Sequence, residues 1–356
     1  MTSAVQKRAN VLGIGLIGGS VALALRERGW HVTGDDVERT SLERALNEHI
    51  IDAAGVDPEA SITFLAAPVL AVPDLAKRAL AETSGVVTDV GSTKATVASA
   101  IDDPRFVGGH PMAGSELEGL DGADASLFQS AVWVLTPTRT TADTTFSAVA
   151  AVVAEMGAEV VALPPERHDQ VVAVISHVPH LTAATLMGLA SERAEEHAAL
   201  LRLAAGGFRD MTRIASGHPG IWLDICVDNR PAILGALDGL IGGLETMRRV
   251  VAEEDREALH EALQRAREAR TNLPSRATEP SELAEVRIPI LDRPGAAAEV
   301  FTLAAELGVN IPSFEVVHSV EGNRGVAVVL VDAANAELVR GGLLARGFRP
   351  AVHRLP

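Results

Sequence analysis

Histidine is the residue of this sequence best suited to proton transfer near neutral pH, because its unperturbed pKa is about 6.5. His110 lies in a glycine-rich loop, residues 108–116, that follows the apolar pair Phe106-Val107. Lysine, an alternative base, occurs only as Lys7, Lys77 and Lys94, which disfavours a catalytic lysine later in the chain. We therefore predict that His110 accepts a hydroxyl proton while hydride leaves the carbon that bears the hydroxyl group.

A second group of candidates lies in residues 88–94, where a predicted strand gives way to a helix. Ser92 is either the N-cap of that helix or a substrate contact, and spacing alone leaves both open. Lys94 falls in the first helical turn and would add positive charge there. Both His110 and Ser92 are expected at the carboxyl edge of a sheet, where doubly wound sheets bind ligands.

Two segments in the second half of the chain carry further candidates. His177 and His180 are three residues apart, a spacing that can hold a metal, but no cysteine or acidic cluster completes the set. We therefore predict no metal, and a buried polar cluster or substrate contacts instead. Arg213 follows Asp210 in an acidic protein, and its planar guanidinium suits a carboxylate ligand. Pairing with a structural aspartate remains the alternative for Arg213.

A dinucleotide site is predicted at the start of the chain, in the segment GIGLIG after the first apolar strand. Its contacts would come from Gly13, Gly15, Leu16, Ile17 and Gly18. The glycines let backbone N–H groups approach a pyrophosphate at a helix N-terminus. Asp36, just past the end of the next strand, is the candidate ribose ligand, and its charge favours NAD. Arg39 nearby leaves NADP as the alternative.

The elements that must position these residues follow from hydrophobic periodicity. In residues 1–163, β-rich runs alternate with helical patterns, which predicts an α/β domain with a doubly wound parallel sheet. The predicted strands are Asn10–Leu12, His31–Thr33, Ile62–Leu65, Val86–Thr88, Val132–Leu135 and Val160–Ala162. The predicted helices are Val21–Arg28, Ser41–Glu48, Leu70–Glu82 and Phe146–Met156.

The pattern changes after Pro164-Pro165. Residues 164–273 are rich in Ala, Leu and Glu without period-two alternation, which predicts an all-helical domain of five or six helices. Residues 274–283 contain two prolines among polar residues and are predicted to be a linker. The order of patterns in residues 284–356 predicts a small βαββαβ domain.

Composition excludes several kinds of partner. The net charge of −16 and the lack of a long basic run argue against nucleic acid and anionic membranes. The single Cys226 fits a reducing compartment, so a cytoplasmic location is predicted. Two apolar segments imitate export or membrane signals. The glycines of Ala9–Leu25 and the histidines and proline of Val171–Ala190 instead favour a nucleotide-binding turn and a buried core helix.

Together these motifs resemble the prephenate/arogenate dehydrogenase family with an appended ACT-type regulatory domain. The resemblance covers nearly the whole chain, in the family's order, at Gly13–Ser20, Gly91–Lys94, Gly109–Glu116, Ser176–His180 and Thr212–Ala215. It implies a Rossmann-type nucleotide domain, a helical domain through which a homodimer forms, and oxidation of prephenate with NAD on the route to tyrosine. Prephenate and arogenate differ only in their side chain, and the sequence leaves both open.

The resemblance implies a role for each matching residue. His110 would hydrogen-bond the ring hydroxyl and act as base, while Ser92 would position that hydroxyl and the nicotinamide. His180 would be a second substrate contact, and Arg213 would hold a substrate carboxylate. Two acidic positions, Glu116 and Asp210, would pair with this arginine and gate access. Loss of hydride and proton would leave a conjugated ketone, and departure of carbon dioxide would restore the aromatic ring.

The C-terminal segment has its own resemblance. Residues 291–295 and 307–311 are similar to the first loop and the helix-end motif of ACT domains, a ferredoxin-like fold that binds amino acids at subunit interfaces. This implies a regulatory amino acid, with tyrosine expected, bound through Asp292, Pro294, Gly295, Asn310 and Ile311. A domain that serves only oligomerisation is the alternative.

The same motifs leave two other functions to consider. A β-hydroxyacid dehydrogenase shares the combination of a nucleotide domain and helices, but the missing lysine argues against it. A non-catalytic sensor of amino acids built on a dehydrogenase fold would not need His110, Ser92, His180 and Arg213 together.

Overall fold

A computed structural model describes residues 6–115, 117–196, 203–217, 219–272, 283–291, 295–318 and 324–354. The chain divides into two compact units, residues 1–245 and residues 246–356, and each is described by itself.

The first unit is built on an eight-stranded sheet with the order β3-β2-β1-β4-β5-β6-β7-β8. Its strands are β1 (Arg8–Leu12), β2 (His31–Asp35), β3 (Ala53–Ala54), β4 (Ile62–Leu65), β5 (Val86–Asp89), β6 (Phe106–Pro111), β7 (Val132–Thr136) and β8 (Glu159–Ala162). The predicted doubly wound sheet is confirmed, and β1 to β6 are parallel.

The prediction of a wholly parallel sheet is wrong for its last two strands. β7 runs antiparallel to β6, and β8 runs parallel to β7. A parallel neighbour needs a crossover, usually through a helix. The described part of the connection from β6 to β7 contains a single 3₁₀ turn, Gly119–Gly122, and no α-helix. The chain therefore returns in the opposite direction.

Helices cover the sheet. They are α1 (Leu16–Glu27), α2 (Arg39–Asn47), α3 (Val72–Glu82), α4 (Ala95–Ala100) and α5 (Asp143–Glu155). The largest core cluster joins Val11 of β1, Leu25 of α1 and Trp133 of β7, all of them buried. This core fixes the strand ends from which the candidate residues project.

The segment around His110 is a strand and not the loop that was predicted. β6 continues through Gly108, Gly109 and His110, and these residues pair with β7. A Cβ built at Gly108 would lie 2.5 Å from Oγ1 of Thr136, and one at Gly109 would lie 2.6 Å from the carbonyl oxygen of Asp89. The glycines are therefore required by close packing between strands.

The described parts of residues 165–272 are helical, as predicted, and contain six α-helices. They are α6 (Pro165–Val172), α7 (Val178–Glu196), α8 (Gly206–Thr212), α9 (Pro219–Asp228), α10 (Arg230–Ala252) and α11 (Arg256–Thr271). A π-helical turn, Ala173–His177, joins α6 to α7, and a 3₁₀ turn, Arg213–Ser216, follows α8.

One helical stretch, Pro165–Arg193, is long and apolar enough to cross a membrane by length and composition. Only 28% of its most apolar window is buried, so the prediction of a buried core helix over Val171–Ala190 is wrong for the single chain. Val174, Ile175 and Leu189 are exposed, because the neighbouring helices cover only part of the surface of this stretch.

The C-terminal part of the second unit has the predicted βαββαβ order. Its elements are β9 (Leu283–Leu291), α12 (Ala296–Glu306), β10 (Ser313–His318), β11 (Arg324–Asp332), α13 (Ala336–Ala345) and β12 (Ala351–Arg354). The antiparallel sheet has the order β10-β11-β9-β12. Both helices pack on it through a separate core that includes Val286, Val300 and Val339.

Candidate functional site

The glycine loop between β1 and α1 has the shape that a dinucleotide requires. Gly13 has a φ of +98°, which favours glycine, and a Cβ at Gly18 would lie 1.9 Å from the carbonyl oxygen of Gly13. A Cβ at Gly15, in contrast, would meet no protein atom within 4 Å. Leu16 and Ile17 begin α1 directly afterwards. Two glycines thus close the turn, and the third leaves open space at a helix N-terminus, which fits a bound pyrophosphate.

Asp35 ends β2 and Asp36 follows it, and their carboxylates have different partners. The Asp36 carboxylate accepts the Ile14 N–H of the glycine loop at 2.6 Å and the Glu38 N–H at 2.8 Å. The carboxylate of Asp35 instead accepts a hydrogen bond from Arg78 at 2.9 Å. Asp36 therefore lies beside the nucleotide loop, where a ribose ligand is expected.

His110 projects from β6 into a group of polar side chains. Its Nδ1 lies 2.8 Å from Nε2 of His168, and the two rings meet edge to face with centroids 5.0 Å apart. Burial, followed by the nearby His168, Lys94 and His177, lowers the pKa of His110 well below its ordinary value. The imidazole is therefore neutral at neutral pH and has a free lone pair for an incoming proton.

Asp169, in α6, accepts hydrogen bonds from the segment between β5 and α4 that carries Ser92. Its Oδ1 accepts the N–H of Lys94, and its Oδ2 accepts the N–H of Ala95, both at 2.8 Å. These are the first N–H groups of α4, whose N-cap position is Lys94. Ser92 is therefore not the helix N-cap, because a carboxylate from a distant helix takes that role. The role of Ser92 as a substrate contact stays a prediction.

Lys94 was expected in the first turn of the helix with a positive charge to contribute there, but it occupies the N-cap position of α4 and its charge is paired. Its side chain is fully buried, where Nζ pairs with Asp89 and donates to the carbonyl oxygen of Gly109 at 2.8 Å. Asp89 also accepts the N–H of Gly91 at 2.8 Å and that of Gly109 at 3.1 Å. Burial lowers the pKa of Lys94, and Asp89 opposes that shift. The Lys94–Asp89 pair therefore holds residues 89–94, which include Ser92, against β6, the strand that carries His110.

His180 lies in a second group of aromatic side chains. Its ring stacks on the indole of Trp222 at a centroid distance of 3.6 Å and an interplanar angle of 12°. His177 meets the same indole edge to face at 6.1 Å. Burial lowers the pKa of His177 to about 4, so this ring is neutral.

Asn229 joins the two groups. Its side-chain nitrogen donates to the carbonyl oxygen of Asp169 at 2.8 Å and lies 3.2 Å from Nδ1 of His177. A continuous path of contacts thus runs from His110 through His168-Asp169, Asn229, His177 and Trp222 to His180. His110 and His180, which are 70 positions apart in the sequence, therefore belong to one network of hydrogen bonds and ring contacts.

The other predicted substrate residues lie on the helical part. Arg213 is exposed in the 3₁₀ turn after α8, and Asp210 is exposed in the last turn of α8. A Cβ at Gly217, which ends that turn, would lie 3.8 Å from Cε1 of His180. The Arg213 turn therefore borders His180. Glu116 lies outside the described residues.

Four residues of the network were not singled out from sequence: His168, Asp169, Trp222 and Asn229. His168-Asp169 sits in a short helix with the unremarkable sequence PERHDQVV. An adjacent His and Asp at the start of a helix is the only signal, and it does not reveal the partner. In the described part of the chain, no cluster of three or more His, Cys, Asp or Glu side chains could hold a metal.

The sequence and the fold of this chain are similar to those of known proteins. The family described as "Prephenate dehydrogenase, nucleotide-binding domain" matches residues 21–162, and "Prephenate dehydrogenase, dimerization domain" matches residues 164–265. A prephenate dehydrogenase of Bacillus subtilis (strain 168) is 34% identical over 332 residues, which cover 88% of this chain and 89% of that protein.

Two solved structures are similar as well. A crystal structure of prephenate dehydrogenase from A. aeolicus in complex with hydroxyphenyl propionate and NAD⁺ has a TM-score of 0.71 and 30% identity, covering 77% of this chain and all of that one. The Synechocystis arogenate dehydrogenase has a TM-score of 0.65 and 30% identity, covering 74% of this chain and 98% of that one.

Proposed function

Because the chain belongs to the prephenate dehydrogenase family, we propose that it catalyses the NAD-dependent oxidative decarboxylation of prephenate to 4-hydroxyphenylpyruvate in tyrosine biosynthesis. The observation that supports this most directly is the setting of His110. Its ring is neutral, it projects from the strand next to the Ser92 junction, and its Nδ1 is engaged by His168. A base in this state can take the proton of a ring hydroxyl.

The chain's own residues would divide the work as follows. His110 accepts the hydroxyl proton at Nε2, and Ser92 orients that hydroxyl. His180, whose ring plane is fixed by the stack on Trp222, contacts the substrate from the helical side. Arg213 holds a carboxylate, with Asp210 and Glu116 setting access to it. The ring carboxylate then leaves as carbon dioxide, and aromatisation makes the reaction irreversible.

NAD, when bound, supplies the hydride acceptor. We propose that Gly13, Gly15, Leu16, Ile17 and Gly18 hold its pyrophosphate and that Asp36 holds the ribose hydroxyls. The position of Asp36 beside the glycine loop supports NAD over NADP, because a carboxylate there repels a 2′-phosphate.

Arogenate is the second candidate substrate, favoured by the similarity to the Synechocystis enzyme. Initial rates measured with prephenate and with arogenate, each with NAD and with NADP, test the proposal. We expect the highest kcat/KM for prephenate with NAD. A chain that oxidises neither substrate would contradict the proposed function, and a preference for arogenate would select the second candidate.

We also propose that the chain forms a homodimer through its helical part. The family that matches residues 164–265 is described as the dimerization domain of prephenate dehydrogenase. An apolar groove of about 600 Å³ also opens between α7, α8 and α10, lined by residues such as Val178, Leu186 and Leu240. Exposed apolar side chains continue along α10 at Ile241 and Leu244. A contiguous apolar surface of this kind is typical of subunit interfaces.

Ile241→Asp is expected to convert the dimer to a monomer, because a carboxylate in an apolar interface loses its hydration without gaining a partner. Analytical ultracentrifugation should show a mass near 37.2 kDa for this variant and about twice that for the parent chain. Leu70→Asp is the matched control, since Leu70 is 53% exposed on the nucleotide-binding part and Ile241 is 51% exposed. A parent chain that is monomeric at micromolar concentration would contradict the proposal.

For the whole chain we propose three domains, at residues 1–163, 164–273 and 284–356, with a linker at residues 274–283. The last domain would be an ACT-type, ferredoxin-like module that binds tyrosine. Its βαββαβ order and separate core support this. Gly295 has a φ of +90° at the start of α12, and Asn310 and Ile311 lie between α12 and β10. Asp292 and Pro294, and most of the linker, lie outside the described residues.

Tyrosine is expected to inhibit the full chain, and deletion of residues 284–356 is expected to relieve that inhibition. The deletion removes a domain whose core residues all lie within it, so the catalytic part keeps its own packing. Dose–response curves for tyrosine measure the effect. Asn310→Ala in the full chain is the finer variant, because Asn310 is exposed. A full chain that ignores tyrosine and related amino acids contradicts the regulatory role.

The single cysteine supports a proposed cytoplasmic location. Cys226 is a free thiol, and burial raises its pKa, which keeps it protonated and unreactive.

A further inference from the structure

The contacts around His168 determine which nitrogen atoms carry protons. Asp169 Oδ1 lies 2.8 Å from Nδ1 of His168 and already accepts the N–H of Lys94. A carboxylate can only accept, so Nδ1 of His168 must be the protonated nitrogen. Nε2 of a neutral His168 then carries a lone pair. This lone pair accepts from Nδ1 of His110 at 2.8 Å.

The same reasoning reaches the proposed base. If Nδ1 of His110 donates to His168, Nε2 of His110 is left without a proton. The other tautomer of His110 would place two lone pairs against each other at 2.8 Å. The carboxylate of Asp169 therefore sets the state of a ring that it does not touch.

We propose that His168 and Asp169 are positioning residues that hold His110 as the Nδ1–H tautomer and receive its proton during turnover. This inference rests on the proposed function, because it concerns the oxidation of a hydroxyl carbon. When Nε2 of His110 takes the hydroxyl proton, Nδ1 can pass its own proton to Nε2 of His168. The hydroxyl O–H bond breaks as the carbonyl forms, and the hydride goes to bound NAD.

The surroundings make this transfer favourable. A positive charge on His110 would sit near Lys94, and burial already disfavours it. A positive charge on His168 would instead lie directly against Asp169. His177, which is neutral, faces the two rings from the π-helical turn, and the Lys94–Asp89 pair faces them from the junction of β5 and α4. The carboxylate of Asp228, at the end of α9, already accepts a hydrogen bond from the hydroxyl of Thr93. Asp169 is therefore the negative charge best placed to hold the proton.

Asp169→Asn in the full chain tests the inference. We expect kcat to fall about 10- to 100-fold, as is usual when a partner that orients a functional histidine is removed, while the KM values for prephenate and NAD change little. Loss of the negative charge makes the His110–His168 pair harder to protonate. The acid limb of the kcat/KM profile should therefore move to lower pH, an effect that a purely structural role would not produce.

Asp52→Asn is the matched control. Asp52 also accepts a backbone N–H, from Val32 at 2.8 Å, and a side-chain bond from Arg26, but it lies at the β2 side of the sheet. This variant should keep the parental kcat and acid limb. A folded Asp169→Asn protein with unchanged kcat and unchanged acid limb would overturn the inference.

A measurement on the parent chain needs neither a variant nor a substrate. Imidazole ¹⁵N chemical shifts should show His110 and His168 both protonated at Nδ1. A His110 ring protonated at Nε2 would overturn the inference. A chain that shows the expected tautomers but oxidises neither prephenate nor arogenate would contradict the proposed function alone.

Discussion

His110→Asn is expected to lower kcat by about 10²- to 10⁴-fold, the usual contribution of a general base. Asparagine keeps a polar group of similar size on β6 but cannot accept a proton. The strand itself should survive, because its packing depends on Gly108 and Gly109 and on the Lys94–Asp89 pair. Steady-state rates with prephenate measure the loss.

Binding of NAD distinguishes a chemical effect from a folding effect. In the described part of the chain no hydrogen bond joins the glycine loop or Asp36 to His110, so the dissociation constant of NAD should stay within about threefold of the parental value. The parent enzyme should also keep its activity below pH 6.5, since the pKa of His110 is lowered and the base is protonated only in stronger acid. Unchanged turnover in His110→Asn would remove this residue as the base.

Gly15→Val is expected to weaken NAD binding strongly while leaving the fold intact. A Cβ at Gly15 meets no protein atom within 4 Å, so the added side chain would occupy the space proposed for the pyrophosphate. Hydrogen bonds to a charged group contribute roughly 1.5–3 kcal/mol each. Losing two of them should raise the dissociation constant by about 100-fold or more. Fluorescence titration with NADH measures the change.

Two other glycine variants serve as comparisons for Gly15→Val. Gly341→Val, at a position in α13 that also has open space around it, should leave NAD binding unchanged. Gly18→Ala should lower the thermal midpoint, because its Cβ would collide with the carbonyl oxygen of Gly13. Normal NAD affinity in Gly15→Val would show that the cofactor does not pass over this residue.

Local sequence predicted elements well where side chains alone favour one structure. Ile62–Leu65 is an unbroken β-branched and apolar run, and the strand has those bounds. β6 was missed because Gly108 and Gly109 have low strand propensity. The reason for those glycines is the closeness of Thr136 and Asp89, and these neighbours are distant in sequence. The direction of β7 depends on the connection from β6 to β7. The length of that connection does not reveal the path it takes.

The candidate site, like the fold, could be predicted only where local sequence suggests a residue's role. His110, Ser92 and Asp36 became candidates because each was expected at the carboxyl edge of the sheet. The structure places Asp36 after β2, Ser92 after β5 and His110 within β6. The expectation that Lys94 adds positive charge at the start of the helix did not include its partner Asp89, which only the folded sheet brings to it. His168 and Asp169 belong to another region of the chain, so no local pattern could connect them with His110.

The hydrogen bonds from Lys94 and Ala95 to Asp169 also limit how this protein can be recombined. A chimera joined at Pro164-Pro165, with its helical portion grafted from a distant homologue, would retain α4 but could lose the acceptor for its first N–H groups. Each orphaned donor costs about 1–3 kcal/mol. Crossover points placed after Val172 would instead keep α4 and Asp169 in the segment from the same parent. Libraries of chimeras built that way should yield more folded members.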